Sequence, residues 1–320
     1  MNESLDLIPL ISVIICTYNR ASMLKRALES LLQQTLDKSL YEIIVVDNAS
    51  VDDTPDVVRE FSNRYPVADI KLVHEDKQGL GYARNAGFRH ARGTNVAFMD
   101  DDAKASPDWL ETALQCFEEV RPTPLAIGGR ILPLYESPKP EWFKDEYEIR
   151  SWGEEPRFLK HGESFSGSNM VFSKKALEEH GGFNVHVGVK GKYLSVGEET
   201  ALFDSIWQRN GNARVMYYSP KLVVWHSVPD FKMTPSYHLK RAFATGQASH
   251  IMHGPISVPA RLYCVTIITG HIVRRSILAL LRWRKYQTYQ NWLVEELAPI
   301  TIELGRLASY LGLHIRVKQG

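Results

Sequence analysis

The chain is poor in cysteine. Its 320 residues hold three, Cys16, Cys116 and Cys264, far apart and in no spacing that suits a disulfide framework or a zinc cage. Buried thiols in a reducing compartment are expected. No leader is expected: Met1-Asn2-Glu3-Ser4-Leu5-Asp6 is short and acidic, without the basic start and apolar core of a signal peptide. No uninterrupted stretch reaches the roughly 18 to 20 apolar residues that a spanning helix needs, so the body is expected in the cytoplasm. A P-loop, internal repeats and low-complexity segments are absent. Gly79-Leu80-Gly81-Tyr82-Ala83-Arg84 begins like a dinucleotide fingerprint, but Arg84 stands where the third glycine belongs and the motif follows the third strand, not the first. A formal charge of +1 excludes a wholesale polyanion binder, and no nucleic-acid partner is expected.

What is present is an ordinary globular composition, 44% hydrophobic and 23% charged, with an uneven charge distribution. Residues 260–320 carry nine Lys or Arg against three acids, a net of +6, which leaves −5 on the preceding residues. A basic tail on an acidic body is a partner signal. Arg282, Arg284 and Lys285 there alternate with Trp283, Tyr286, Tyr289 and Trp292. Cations interleaved with amphipathic rings suit a helix in a membrane interface, and equally a helical hairpin packed on the body or a dimer contact. Peripheral membrane contact through 260–320 is the expectation; the oligomeric state stays open.

Leu10 to Cys16 is a nearly continuous apolar run, as a strand covered on both faces requires. Met23, Leu24, Ala27, Leu28, Leu31 and Leu32 then recur at helical spacing. Strands at Glu42–Val46 and Ile70–His74 follow, each leading into a helix, and a fourth runs to Met99. Strand and helix alternating four times predict an α/β sheet of mostly parallel strands, a Rossmann-like core flanked by helices. Ligands bind such sheets outside the carboxyl ends of the strands. Those ends read Thr17-Tyr18-Asn19-Arg20, Asp47-Asn48-Ala49-Ser50 and Asp100-Asp101-Asp102. Prolines break the rhythm over 121–165, where a lid with a strand at Ala126–Leu132 is expected. Short strands are predicted at Val215–Tyr218 and Leu222–Trp225, the second ending at His226.

The three acids carry the strongest chemical signal. Adjacent carboxylates repel, and a divalent cation among them offsets the crowding. In an extended segment Asp100 and Asp102 project to one side and Asp101 to the other. An acidic loop tip capping the next helix is the plainer alternative. His226 is a reasonable further ligand for Mn²⁺ and a poorer one for Mg²⁺. Glu198 and Glu199 open a helix, where the dipole favours the anionic form; either can act as a base or simply cap. Asp47 can meet a base or ribose, or cap a helix; Thr17 and Asn19 can cap the first helix. Arg84 and Asn85 can face an anion, or Arg84 can be a plain surface residue.

The ordered series Val13–Arg20, Ile44–Ser50, Gly81–Gly87, Phe98–Asp102, Gly167-Ser168-Asn169 and Gly197-Glu198-Glu199 resembles family 2 of the glycosyltransferases, bacterial enzymes of the GT-A fold, over roughly residues 8–230. The resemblance implies metal-dependent, inverting transfer from a nucleotide-sugar, UDP- or GDP-linked, to a lipid-linked or polysaccharide acceptor in cell-surface glycan synthesis. It implies that Thr17, Asn19 and Asp47 hold the nucleoside, joined by Arg20, Asn48 and Asp101. Arg84 and Asn85 would lie near the diphosphate or sugar, and Gly167 and Asn169 in the donor–acceptor cleft. Asp100, Asp102 and His226 would hold Mn²⁺ or Mg²⁺, and Glu199, with Glu198 as an alternative, would be the base. The chain departs from the family's usual Glu-Asp pair at Glu199, one methylene longer. The domains expected are 1–235, with a donor half at about 8–120 and an acceptor half at about 121–235, and a helical extension at 236–320 on the inner face of the cytoplasmic membrane. Two other readings are a sugar-1-phosphate nucleotidyltransferase, disfavoured by the lack of a glycine-rich basic loop after the first strand, and a catalytically silent membrane-associated scaffold.

Overall fold

The computed structural model of the protein describes residues 8–185, 198–251, 257–313, 315, 317 and 318. These fall into two compact units, one drawn from 1–134, 148–185 and 199–227, the other from 135–147 and from 228 onward.

The first unit is an α/β sheet. β1 (Ile11–Thr17), β2 (Tyr41–Asp47), β3 (Asp69–His74) and β4 (Asn95–Asp100) are joined by α1 (Ala21–Leu32), α2 (Thr54–Arg64) and α3 (Leu80–His90). All of their pairings are parallel. β5 (Ala103–Ala105) and α4 (Trp109–Glu119) come next, then β6 (Ala126–Tyr135), β7 (Arg157–Phe158), β8 (Met170–Ser173), α5 (Lys174–Glu179), α6 (Glu198–Asn210) and β9 (Met216–Val228). The sheet runs β3-β2-β1-β4-β8-β6-β9-β5, with β7 on β9, and continues beyond β4 with antiparallel pairs.

Alternate residues of one strand serve opposite cores, as the pleat demands. Val13, Ile15, Ile43, Val45, Ala97 and Met99 pack with Leu28 of α1, Phe61 of α2 and Trp109 of α4. Ile14, Ile44, Val46, Val96 and Phe98 pack with Ala86 of α3 and Phe203 and Trp207 of α6. Both faces are therefore covered, and the continuous apolar runs follow from that.

Three expectations need correction. The two short strands predicted around Leu222 are one, β9, so His226 lies inside a strand and not at its end. β5, only three residues long, carries too little pattern to be read from sequence. The three cysteines form no disulfide, but they are half-buried rather than buried.

In the second unit, α7 (Pro235–Ile251) packs along α10 (Ala298–Tyr310). The approach is close because glycine faces backbone on both helices: a Cβ on Gly246 would come 2.0 Å from Ile302 O, and one on Gly305 2.2 Å from Phe243 O. α8 (Val258–Arg282) also packs on α10 and leads through a short turn to α9 (Tyr289–Trp292). Asn291, buried, donates to the Trp142 carbonyl at 2.6 Å and the Tyr147 hydroxyl at 2.8 Å, tying 135–147 to this unit. With the turn that follows it, α8 is long and apolar enough, by length and composition, to cross a bilayer. A count of uninterrupted apolar residues misses it because His271, Arg274 and Arg275 break the run.

Candidate functional site

Strand register assembles the site. Thr17 pairs with Asp47 across β1 and β2, and Cys16 with Asp100 across β1 and β4, so the polar carboxyl ends lie in one row. Two loops there adopt the left-handed region without glycine, Asn19 at φ 54° and Ala49 at φ 63°. That conformation is costly for L-residues and needs surrounding contacts to hold it. Asn19 N donates to Ser50 Oγ at 2.9 Å, Asn19 Oδ1 accepts from Val51 N at 2.8 Å, and Asp52 Oδ2 accepts from Ala21 N at the start of α1. Asp47, buried, accepts from Ser50 N at 2.9 Å and lies 3.3 Å from His74 Nδ1.

Beyond β4 the three acids separate. Asp100, Asp102 and His226 each offer a ligand atom, all within 4.8 Å of one another. His226 Nε2 is 3.1 Å from Asp102 Oδ1 and 3.5 Å from Asp100 Oδ2. β5 makes this possible: Ala103 pairs with His226, and Ser227 N donates to the Asp102 carbonyl at 2.9 Å. Asp101 turns away, buried, to accept from Arg20 Nη1 at 3.0 Å, and the same nitrogen lies 3.6 Å from Asp102 Oδ2. Burial pushes the Asp100 carboxyl up, but the His226 hydrogen bond and the Arg84, His226 and Arg20 charges outweigh it and hold it at about 2. Burial lifts Asp101 to about 6; Arg20 pulls against this, and the Asp102 and Asp100 charges add to it.

Two carboxylates each 3.1 to 3.5 Å from one imidazole nitrogen, with all three ligand atoms within 4.8 Å, fit one ion held at about 2.1 Å after small side-chain adjustment. The mixed oxygen and nitrogen set suits Mn²⁺ better than Mg²⁺.

Arg84 links this cluster to Glu199. It is 2% exposed, not a surface group: its guanidinium lies 3.7 Å from Asp100 Oδ1, 3.4 Å from Glu199 Oε1 and 5.2 Å from the centre of the Phe183 ring. Gly167 leaves them room, since a Cβ there would come 2.2 Å from both Arg84 Nη2 and Glu199 Oε1 and displace them. Glu199 is in the first turn of α6; the side chain of Glu198 lies outside the described residues.

Three amides named from the sequence are committed to the protein's own groups. Asn48 donates to the Glu75 and Lys77 carbonyls and accepts from Gly79 N. Asn85 donates to and accepts from the Phe183 backbone at 2.8 Å each way. Asn169 donates to the Arg130 and Leu222 carbonyls and accepts from Trp109 Nε1. These bonds brace the loops that carry the site. Sequence reasoning missed Phe183 and His74, neither of which stands in a recognisable motif.

A nine-stranded sheet with an acidic cluster at the carboxyl end of its fourth strand defines the class: this is the GT-A fold of glycosyltransferases. The model of the family described as Glycosyl transferase family 2 matches residues 12–181, and the chain belongs to that family. The glucosyl-dolichyl phosphate glucuronosyltransferase of Haloferax volcanii is 29% identical over 248 residues, covering 76% of this chain and 77% of that protein. The validoxylamine A glucosyltransferase of Streptomyces hygroscopicus subsp. jinggangensis is 33% identical over 161 residues, 47% of this chain and 37% of that protein. Among solved structures, the mannosyltransferase PcManGT of Pyrobaculum calidifontis, in complex with GDP-mannose and Mn²⁺, superposes with a TM-score of 0.64 at 21% identity, covering 93% of this chain and 87% of that one. The relatives are archaeal as well as bacterial, so the bacterial association drawn from the resemblance does not carry over.

Proposed function

We propose that this glycosyltransferase moves a sugar, with inversion, from a UDP- or GDP-sugar to a hydroxyl of a lipid-linked acceptor at the cytoplasmic face of a membrane. One observation carries the reading: Asp100, of a cluster with Asp102 and His226 that could hold a cation, and the Glu199 carboxylate share a single buried arginine at the carboxyl end of the sheet. Asp47 offers acceptor oxygens to a base edge, and Asp100, Asp102 and His226 would hold Mn²⁺ or Mg²⁺. The bound ion supplies Lewis-acid stabilisation of charge on the leaving group. Glu199 takes the acceptor hydroxyl's proton as that oxygen bonds to the anomeric carbon and the bond to the diphosphate breaks on the opposite face. No covalent intermediate is required. A lipid-linked acceptor is favoured by the dolichyl phosphate substrates named for the Haloferax relative and for a Methanococcus voltae relative, 29% identical over 200 residues.

The test is a thermal-shift panel of nucleotide-sugars with Mn²⁺ and with EDTA, since a ligand raises apparent stability with its affinity. Proton NMR of the product then reads the anomeric configuration. Equal stabilisation without metal, or a retained configuration, overturns the reading.

A further inference from the structure

Of the 22 exposed large hydrophobic side chains among the described residues, 14 lie between Val258 and Ile315. The other eight are scattered, as on any soluble surface. α8 concentrates the former. Ile268 and Ala279 are buried on the side that packs on α10. Leu262, Val273, Ile277, Leu280 and Leu281 recur at helical spacing on an exposed side. Exposed cations border this stripe along the helix: Arg274, Arg275 and Arg282, with Arg261 near its start and Arg284 and Lys285 just past its end. Only 11% of the helix's apolar stretch is buried within the unit.

The stretch that carries this face has charges of one sign. No Asp or Glu occurs between Asp230 and Glu295. Arg282 reaches Glu296 at 3.6 Å and Arg284 lies over the Trp283 ring at 5.3 Å. Among the described residues, Arg261, Arg274, Arg275 and Lys285 have no carboxylate partner. A surface of exposed aliphatic side chains rimmed by cations matches an anionic lipid interface, where the aliphatic stripe enters the acyl boundary and the cations meet phosphates. A second copy of the chain is a poorer occupant, because the segment brings cations and no acids to such a contact.

We infer that α8 lies in the plane of an anionic bilayer, its stripe of Leu262, Val273, Ile277, Leu280 and Leu281 facing the acyl chains. The inference rests on the membrane-face part of the function proposed above and is independent of the transfer chemistry. Orientation follows from the charges. A 25-residue helix is about 38 Å long, and spanning would place His271, Arg274 and Arg275 in the hydrocarbon near its middle, where charged side chains are costly. Lying flat, the same groups reach headgroups, and Trp283 and Tyr289, both exposed, sit at the boundary that such rings favour.

The full-length protein is sedimented with phosphatidylcholine vesicles and with vesicles that also contain phosphatidylglycerol, without nucleotide or metal. It pellets with the anionic vesicles at least tenfold more strongly and is released by high salt and by alkaline carbonate. R274Q/R275Q weakens binding about 25-fold, at about fivefold per cation, and I277E/L281E abolishes it with the melting temperature unchanged. Equal binding to neutral vesicles that survives carbonate means a spanning helix and overturns the inference. So does a soluble dimer, detected by light scattering and dissociated by I277E/L281E, that ignores vesicles. Mn²⁺-dependent nucleotide-sugar hydrolysis by the same variants is read separately, so failure at the membrane and failure of the catalytic reading are told apart.

Discussion

Arg84 Nη1 lies 3.4 Å from Glu199 Oε1 in a site where the arginine side chain is 2% exposed. A cation so thoroughly removed from water persists only through its partners, and Glu199, Asp100 and the Phe183 ring are among them. The proposed base, Glu199, and one proposed cation ligand, Asp100, thus share one guanidinium, reached from a helix that the sequence pattern alone leaves undistinguished.

Replacing that guanidinium tests the link. Arg84→Ala strands two partly buried carboxylates, and removing one partner of such a pair costs about 3 kcal/mol or more. A drop in melting temperature is expected together with a transfer rate lower by about a hundredfold, since small misplacements of reacting groups carry penalties of that size. Arg84→Lys restores the charge without the planar fork and recovers the melting temperature better than the rate. Full activity in Arg84→Ala sinks the idea.

Glu199→Gln removes the proton acceptor while keeping the side chain's volume. General-base removal lowers turnover by about 10² to 10⁴-fold, and nucleotide-sugar affinity, read by calorimetry, stays within a few-fold of the parent. Glu198→Gln under the same assay assigns the role: if it is the more damaging change, the base is Glu198.

His226→Ala and Asp102→Ala each delete a cation ligand. Loss of a group that merely supports a metal ligand costs about 10 to 100-fold in metal affinity, so these changes are expected to cost at least that much. Mn²⁺ titration followed by electron paramagnetic resonance measures it directly. An unchanged Mn²⁺ affinity in both variants removes the cluster from the mechanism.

Gly167→Ala introduces a Cβ that would stand 2.2 Å from Arg84 Nη2 and Glu199 Oε1. Both side chains must shift, and the expected result is a rate reduced by about a hundredfold with nucleotide affinity retained, read from steady-state kinetics and equilibrium binding on the same preparation.

The parallel half of the sheet was legible because its signals are long and periodic. β1, β2 and β4 are apolar runs ended by polar residues, and the intervening helices show clear stripes. The facing of Asp100 and Asp102 to one side, and Asp101 to the other, follows from the two-residue period of an extended chain. What escaped depends on contacts distant in sequence. β5 is defined by its pairing with β9, and Arg84 is buried because Phe183 and Glu199 fold over it. The amides of Asn48, Asn85 and Asn169 resemble ligand-facing groups in a motif, yet each finds its partners in segments distant in sequence that no local pattern announces.

The opposite end of the sheet carries a buried charge that the strand pattern also hid. Glu42, whose side chain is 0% exposed, accepts hydrogen bonds from Ser12 Oγ at 2.6 Å, Lys71 Nζ at 2.7 Å, Arg92 N at 2.6 Å and Arg92 Nε at 3.0 Å. Burial pushes its carboxyl up, but these four donors outweigh it and bring it from 4.5 down to about 2. A folded-state value below the unfolded one means that the stabilisation is complete above about pH 4.5 and is lost as pH falls toward 2. The shift corresponds to an upper figure on the order of 3 kcal/mol, reduced by solvent around the half-exposed Lys71 and Arg92. Urea unfolding of the parent and Glu42→Gln at a series of pH values measures it. The parent is more stable by a few kcal/mol at neutral pH, and the gap closes as pH falls from 5 to 2. Because the surface carboxylates titrate alike in both proteins, only the difference reports on Glu42, and a gap that stays constant with pH assigns the stabilisation to shape and neutral hydrogen bonding instead of charge.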